Sequence, residues 1–341
     1  MKMNLVIHIN ALKRALFAAA VTVGLAFGIQ NTHAAIASNF TIINHANGQP
    51  LSLYDYQGSV ILLDFWAYWC GPCQAAAADI EPNITQYYRN AGGNNNGVPV
   101  QVISISIDMS SPADENSYIQ TCGLELVGDD TSGVAWSQFG MGYIPHFAVI
   151  NGTTNSSNYA NWQVLYSYYG YTKSTLMSYI DSVQTPAPTS ILNGPVNGAV
   201  VAPSNIALRA RITTNGKIIK KVGYYNGTTL LGTITNISDT LIWSNVQAGA
   251  KSVFARVYYG TSSSADSPSV NFTVATPVAA KLSTQGTNLL LSWTGGTGNF
   301  QVQVATNLTG AAWQNFGTSG TNTSLIITRT NRAAFYRVMW P

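Results

Sequence analysis

Cysteine is scarce in this chain, and its scarcity limits the sites that the sequence can form. The 341 residues include three cysteines, Cys70, Cys73 and Cys122, and four scattered histidines. A structural zinc site needs two pairs of Cys or His ligands, and Cys70 with Cys73 supplies one pair at most. The sequence therefore predicts no metal site and no bound cofactor, and it leaves the Cys70–Cys73 pair to act by itself.

Charge is also scarce, since charged residues make up 9% of the chain and hydrophobic residues 46%. The net charge of +3 hides a division, because residues 36–185 carry a net charge of −9 and residues 186–341 a net charge of +9. The two halves could attract each other, or the division could be compositional drift whose attraction salt screens. Because the basic half lacks clustered Lys and Arg with interleaved aromatic residues, nucleic acid is excluded as a partner.

Long hydrophobic runs are lacking beyond the N-terminus. Lys2, Lys13 and Arg14 precede an apolar stretch from Ala15 to Ile29, which is short for a membrane-spanning helix. Small residues follow, and cleavage is expected after one of residues 34–37. Residues 1–35 are thus a predicted signal peptide, and the mature protein is expected in the periplasm or outside the cell. Retention as an uncleaved membrane anchor is the alternative.

What the sequence does contain is a Cys-x-x-Cys motif between a strand and a helix. An apolar run from Val60 to Phe65 leads into Trp69-Cys70-Gly71-Pro72-Cys73, and an alanine-rich segment follows. This order places Cys70 at a helix N-terminus, where free N–H groups and the helix dipole stabilise a thiolate. Cys73 lies one helical turn further and can resolve a mixed disulfide. The motif predicts dithiol–disulfide chemistry.

The run from Asp64 to Cys73 resembles the thioredoxin superfamily. Phe40-Thr41-Ile42, Gly48, Leu51-Ser52-Leu53 and Gly58 before it are similar to the extracytoplasmic TlpA/ResA-like branch. A distant segment, Gly142-Tyr143-Ile144-Pro145 before an apolar run, matches the family's second element. The resemblance covers residues 38–184. It implies an α/β thioredoxin fold with a mixed central sheet flanked by helices, and a thiol–disulfide oxidoreductase.

The resemblance also implies roles for individual residues. Cys70 would be the nucleophile and Cys73 the resolving thiol, Asp64 would relay the proton of Cys73, and Pro145 would be a cis proline facing the pair. The residues expected to contact the substrate are Trp69, Gly71, Pro72 and Ile144.

Some positions depart from the family. The acidic residue and the proline that follow the motif in cytochrome-maturation relatives are Ala76 and Ala78 here, so that specific role is not expected. Ser104 occupies the region of the lysine that thioredoxin pairs with its buried acid. His146 either tunes Cys70 or points elsewhere, and Cys122 is expected to be a buried small residue.

The pattern of strands and helices divides the chain further. Residues 36–185 form the predicted thioredoxin-like domain, with a helix from Cys73 to about Asn90 that is kinked at Pro82. Residues 186–189 are a Pro-rich linker. Short strands split by Gly, Asn and Ser turns then predict two all-β sandwich modules. Residues 190–275 resemble bacterial Ig-like modules, and residues 276–341 resemble a small fibronectin-III-like module.

These features together predict a secreted or periplasmic enzyme that exchanges thiols and disulfides with protein substrates. The Gly-Pro dipeptide between the cysteines is similar to that of reducing thioredoxins, so a reductase is favoured over an oxidase or isomerase. A reductase outside the cytosol would need a membrane electron donor. The competing hypothesis is a surface or binding protein that uses the thioredoxin fold as a scaffold. The β modules could attach such a protein to the cell surface.

Overall fold

The computed structural model describes residues 35–309, 312–330 and 333–340. The predicted signal peptide lies outside these residues, apart from Ala35. None of the helices in the described part is long and apolar enough to cross a membrane.

The first domain is built on a seven-stranded mixed sheet. Its strands stand in the order β2-β1-β5-β4-β3-β6-β7. Their bounds are β1 Thr41–Asn44, β2 Pro50–Ser52, β3 Val60–Trp66, β4 Val100–Ser106, β5 Val127–Asp129, β6 His146–Asn151 and β7 Gln163–Tyr169. Strands β3, β4 and β5 are parallel to one another, and β6 pairs with β3 in the antiparallel direction. The three parallel strands therefore end at the same edge of the sheet.

Strand β3 is the centre of this sheet, and all seven of its residues are buried. Successive side chains of a strand point to opposite faces, so one strand can serve two cores. Ile61, Leu63 and Phe65 belong to a core on one face, whereas Val60 and Leu62 belong to a core on the other. The continuous apolar run in the sequence reflects this burial on both faces.

Helices cover both faces of the sheet. Their bounds are α1 Gly71–Ile80, α2 Gln86–Ala91, α3 Pro112–Cys122, α4 Val134–Phe139 and α5 Lys173–Ser182. A π-helical turn, Glu81–Thr85, separates α1 from α2. Pro82 lies in this turn, and a proline within a helix removes a hydrogen-bond donor and crowds the preceding turn. The sequence predicted one helix with a kink at Pro82. The structure instead has three consecutive segments, which are α1, the π-helical turn and α2.

Two strands of the first domain were not predicted from the sequence. Each of β2 and β5 has three residues, which is too short to display a periodicity. Strand β5 nonetheless pairs with β4 on one side and β1 on the other, and it connects the N-terminal hairpin to the sheet.

The remaining described residues form β strands only. The strands of the second module are β8 Thr189–Leu192, β9 Val200–Val201, β10 Ile206–Leu208, β11 Ala210–Thr213, β12 Ile219–Asn226, β13 Thr229–Ile234, β14 Leu241–Trp243, β15 Gly249–Tyr259, β16 Ser263–Asp266 and β17 Val270–Val274. The predicted strand 206–212 is wrong as one element, because β10 pairs with β14 whereas β11 pairs with β8. Leu208, Val222 and Phe272 meet in one core between these sheets. Strand β8 begins at Thr189, the last residue of the predicted linker.

A third unit, which is smaller and also all-β, follows the second module. Its strands are β18 Ala279–Gln285, β19 Asn288–Thr294, β20 Gln301–Ala305, β21 Gln314–Asn315, β22 Ser324–Thr328 and β23 Phe335–Met339. They form two three-stranded sheets, β18-β19-β22 and β21-β20-β23. Trp293, Val302 and Ile327 fill the space between the sheets.

The first domain and the second module meet at the loop that precedes β4. The Ile218 N–H donates to the Gly97 carbonyl at 2.9 Å, and the Lys217 Nζ donates to the Asn96 carbonyl at 2.7 Å. Gly97 and Gly260 approach so closely that a Cβ on Gly97 would lie 2.8 Å from the Gly260 nitrogen. The contact is therefore made largely by backbone.

Candidate active site

Cys70 and Cys73 begin helix α1 and form a disulfide. Cys70 is the N-cap residue, and its Sγ accepts a hydrogen bond from the Cys73 N–H at 3.2 Å. Pro72 stands in the first turn, where its missing N–H costs nothing. Cys70 is 5% exposed and Cys73 is 1% exposed. A sulfur at Cys70 thus lies at the positive end of the helix and near the surface, which suits a thiolate.

An apolar cluster surrounds the pair. Trp66 and Tyr118 stack with their ring centres 4.1 Å apart, and both pack in the cluster that holds the two cysteines. Cys122 belongs to the same cluster, and its Sγ donates to the Gln74 carbonyl at 3.8 Å. Tyr118 and Cys122 lie on α3, so one face of this helix covers the disulfide from behind.

Asp64 lies within β3, below the motif, and is 1% exposed. Burial raises its pKa to about 7, and a hydrogen bond from the Ser104 hydroxyl lowers it by less. Its Oδ2 has no hydrogen-bond partner among the described residues. Burial raises the pKa values of Tyr118 and Cys122, and the negative charge of Asp64 raises them further. A carboxyl group with a pKa near 7 can take up and release a proton near neutral pH.

The second predicted element reaches the same region. The Ile144–Pro145 peptide bond is cis, and the Pro145 carbonyl accepts a hydrogen bond from the Gly170 N–H at 2.8 Å. Ile144 packs against the cluster that contains Cys70 and Cys73. The fold therefore brings together two segments that lie more than 70 residues apart in the sequence.

The outer face of the motif is open. Trp69 is 62% exposed, and its Nε1 donates to Asp108 Oδ2 at 2.7 Å. Gly71 and Pro72 are exposed, and a Cβ on Gly71 would meet no atom within 4 Å. These residues leave space for an extended chain beside Cys70.

His146 lies on the other side of the sheet from the disulfide. Its ring contacts Phe65 and Trp136 edge-on, and its Nε2 is 3.0 Å from the Ser167 Oγ. Burial lowers the pKa of His146 to about 4. Of the two hypotheses for this residue, the structure favours the one in which it points away from Cys70.

Cys122 is buried, as expected, and it is outside the disulfide. Burial raises the pKa of its thiol to about 11, and the charge of Asp64 adds to the shift. Cys122 is therefore a thiol, not a thiolate, at neutral pH. Ala76 is buried against the sheet, whereas Ala78 is exposed.

Two residues near the site were missed in the sequence. Tyr118 could not be found, because its contact with Trp66 depends on how α3 crosses the sheet. Asp108 carried a weak signal, since it follows the end of a parallel strand, where the side chains of adjacent strands meet.

Parts of the chain are similar to known proteins. Residues 58–156 match the family model described as Thioredoxin-like, so the chain contains a thioredoxin-like domain. The soluble secreted antigen MPT53 of Mycobacterium tuberculosis is 28% identical over 152 residues, which are 43% of this chain and 81% of that protein. A solved secreted disulfide oxidoreductase of M. tuberculosis, homologous to E. coli DsbE, is 18% identical, with a TM-score of 0.32, over 41% of this chain and 93% of that chain. The fibronectin(III)-like modules of Clostridium thermocellum CbhA are 23% identical, with a TM-score of 0.24, over 25% of this chain and 94% of theirs.

Proposed function

We propose that this protein is an extracytoplasmic thiol–disulfide oxidoreductase that reduces protein disulfides through Cys70 and Cys73. The observation that carries the proposal is the cysteine pair at the N-terminus of α1, with the cis Pro145 segment beside it. The secreted nature of the relative MPT53 and the apolar N-terminal segment support a site of action outside the cytosol.

The reaction has two exchange steps. The Cys70 thiolate attacks one sulfur of a substrate disulfide, forms a mixed disulfide and releases the other substrate sulfur as a thiolate. The Cys73 thiolate then attacks the Cys70 sulfur, which releases the second substrate thiolate and forms the Cys70–Cys73 disulfide. The substrate gains two electrons and the protein loses two. A dithiol donor, in the cell a membrane electron carrier, must return them.

Asp64 would accept the proton of Cys73 as that thiol becomes a nucleophile. Its pKa of about 7 makes it a base at neutral pH. Pro145, the exposed residues Trp69, Gly71 and Pro72, and the half-buried Ile144 would hold an extended substrate segment next to Cys70. No cofactor takes part in this scheme.

Insulin-disulfide reduction with dithiothreitol as the donor tests the enzyme. The Cys70→Ser variant should lose all protein-dependent turnover, because the nucleophile is absent. Cys122→Ser is the matched control, since it removes a buried thiol that belongs to neither exchange step, and it should retain turnover. Equal activity of the wild type and Cys70→Ser would reject the proposal and favour a binding protein.

The reduction potential of the Cys70–Cys73 couple tests the direction. Equilibration with glutathione or thioredoxin should give a value near that of reducing thioredoxins, roughly −270 mV, and not near the roughly −120 mV of strong oxidants. A value at the oxidising end would replace the reductase with a disulfide oxidase. A Cys73→Ala variant would retain mixed disulfides, whose mass-spectrometric identification in the native host names the protein substrates.

The location has its own test. N-terminal sequencing of the protein from fractionated cells should find a mature end after one of residues 34–37. An intact N-terminus in the membrane fraction would indicate an uncleaved anchor.

A further inference from the structure

Three side chains that the exchange reaction does not use meet at the edge of the sheet. His45 follows β1, Asp129 ends β5, and Glu115 projects from the first turns of α3. One nitrogen or oxygen atom from each lies within 4.8 Å of those from the other two. The His45 Nδ1 lies 3.0 Å from Asp129 Oδ1 and 3.1 Å from Asp129 Oδ2.

The orientation of the His45 ring is set by Asn116. The Asn116 side-chain nitrogen donates to the Pro112 carbonyl at 2.7 Å, so its Oδ1 is the atom that faces His45. This Oδ1 lies 3.1 Å from the His45 Nε2, which must therefore be the protonated nitrogen. In a neutral ring the lone pair of Nδ1 then faces the carboxylate of Asp129. Two acceptors in that position repel each other unless a proton or a metal ion lies between them.

Glu115 gives a second indication, separate from the His45–Asp129 contact, that an ion binds here. Its side chain is 2% exposed, and its Oε1 has no hydrogen-bond partner among the described residues. A buried carboxylate oxygen without a partner is costly. A divalent cation among the three side chains would give Glu115 Oε1 a partner, and it would also separate the His45 Nδ1 lone pair from the Asp129 carboxylate.

We propose that His45, Glu115 and Asp129 bind one divalent transition-metal ion of the zinc class. One imidazole with two carboxylates, and a fourth position for water, is a donor set that suits Zn²⁺, whereas Mg²⁺ and Ca²⁺ prefer oxygen ligands alone. Tetrahedral zinc with ligand bonds of about 2.1 Å separates its ligand atoms by about 3.4 Å. The 3.0 Å between His45 Nδ1 and Asp129 Oδ1 lies close to that separation, and all three ligand atoms lie within 4.8 Å of one another, so small side-chain adjustments complete the site. Asn116 acts on the ion through His45, since it holds the far nitrogen of the ring.

The site does not involve the cysteines, and it departs from the expectation of no metal site because its ligands are scattered in the sequence and meet only in the fold. Its ligands come from three segments separated by up to 84 residues. Bound metal would tie α3 to β1 and β5. The other end of α3 carries Tyr118 and Cys122, which pack against the disulfide.

Zinc binding to the full chain without a polyhistidine tag tests the proposal. The protein is stripped with a chelator and kept in its disulfide form, so that Cys70 and Cys73 cannot bind metal, and the Cys122→Ser background removes the third thiol. Calorimetric titration with Zn²⁺, and elemental analysis after gel filtration, should give one ion per chain. No bound zinc in this protein would overturn the proposal.

Substitutions test whether zinc binds at these three residues or at other carboxylates of the protein. His45→Gln and Glu115→Gln should abolish the bound ion, whereas Asp79→Asn, which removes an equal charge from the Lys173 ion pair, should retain it. Equal zinc content in wild type and His45→Gln would overturn the site. Should the ligand variants fail to fold, Asn116→Ala leaves all three ligands in place and should weaken binding by about 10- to 100-fold. Unchanged affinity in Asn116→Ala, or equally tight binding of Mg²⁺, would also overturn the proposal.

Discussion

Buried ionisable side chains are concentrated in the thioredoxin-like domain and are rare in the β modules. Among the described residues, the buried ionisable groups of the first domain, tyrosines and Cys122 aside, are Asp64, Glu81, Glu115, Asp130 and His146. In the β modules the corresponding list contains Lys217 alone, and this residue lies at the contact with the first domain. The cores of the β modules are otherwise filled by apolar and aromatic side chains.

The difference shows where the chain accepts an energetic cost. Burying a charge without a partner destabilises a fold, and a module that only has to fold avoids it. The first domain retains buried ionisable groups on both faces of one strand pair. Asp64 is paired in register with Phe147, and the next residue of β3, Phe65, is paired with His146. Removing such a buried group should therefore change stability in a pH-dependent way, whereas removing an exposed charge should not.

The largest expected effect is that of Asp64→Asn. In the wild type, the pKa of about 7 in the folded state lies above the usual 3.8. The folded protein therefore keeps a proton that the unfolded chain loses, and stability falls as the pH rises from about 4 to about 7. A shift of this size corresponds to about 4 kcal/mol. The free energy of unfolding of Asp64→Asn, relative to that of the wild type, should rise by about 4 kcal/mol from pH 4 to pH 8. Denaturant-dependent hydrogen exchange of peptides from β3 measures this difference. A difference that does not change with pH would mean that Asp64 ionises normally.

His146→Phe should have a slightly smaller effect with the opposite pH dependence. The folded-state pKa of about 4 lies below the usual 6.5, so in the wild type the unfolded chain binds a proton first as the pH falls. Stability is then lost between about pH 6.5 and pH 4, by about 3 kcal/mol. The same exchange measurement should find that the variant gains stability relative to wild type at pH 4 and not at pH 8. Because the two groups oppose each other, the wild type itself should vary little over this range.

Lys217→Met should have the smallest effect, and it should be confined to the contact between the units. The variant leaves the Asn96 carbonyl without its donor, which costs about 1–3 kcal/mol. Faster hydrogen exchange at Ile218, with insulin reduction unchanged, is the expected result. Lys221→Met is the control, because Lys221 is an exposed cation over the Tyr258 ring of the same module. A loss of insulin reduction in Lys217→Met would show that the β module supports the active site directly.

The sequence predicted the long, strongly patterned elements of the first domain but not its short ones. Strand β3 and the start of α1 were evident because seven buried residues and a Cys-x-x-Cys turn leave few alternatives. Strand β5 was invisible because three residues carry no pattern, although its last residue, Asp129, reaches the metal-site cluster.

The directions in which side chains point could not be predicted from the sequence either. Whether His146 faces Cys70 depends on which face of β6 it occupies, and this register is fixed by pairing with β3 and not by local sequence. The cluster of His45, Glu115 and Asp129 depends likewise on β1 and β5 lying side by side. Local patterns cannot report such distances.

The glycine contact between the first two units has a consequence for how the β module stays attached to the first domain. Gly97 and Gly260 both have positive φ angles, and a Cβ on Gly260 would lie 2.6 Å from the Asn95 carbonyl oxygen. With no side chain between the two backbones, any residue larger than glycine at either position would have to push the two units apart. A Gly97→Ala or Gly260→Ala change would thus act on the attachment of the β module and not on the fold of either unit.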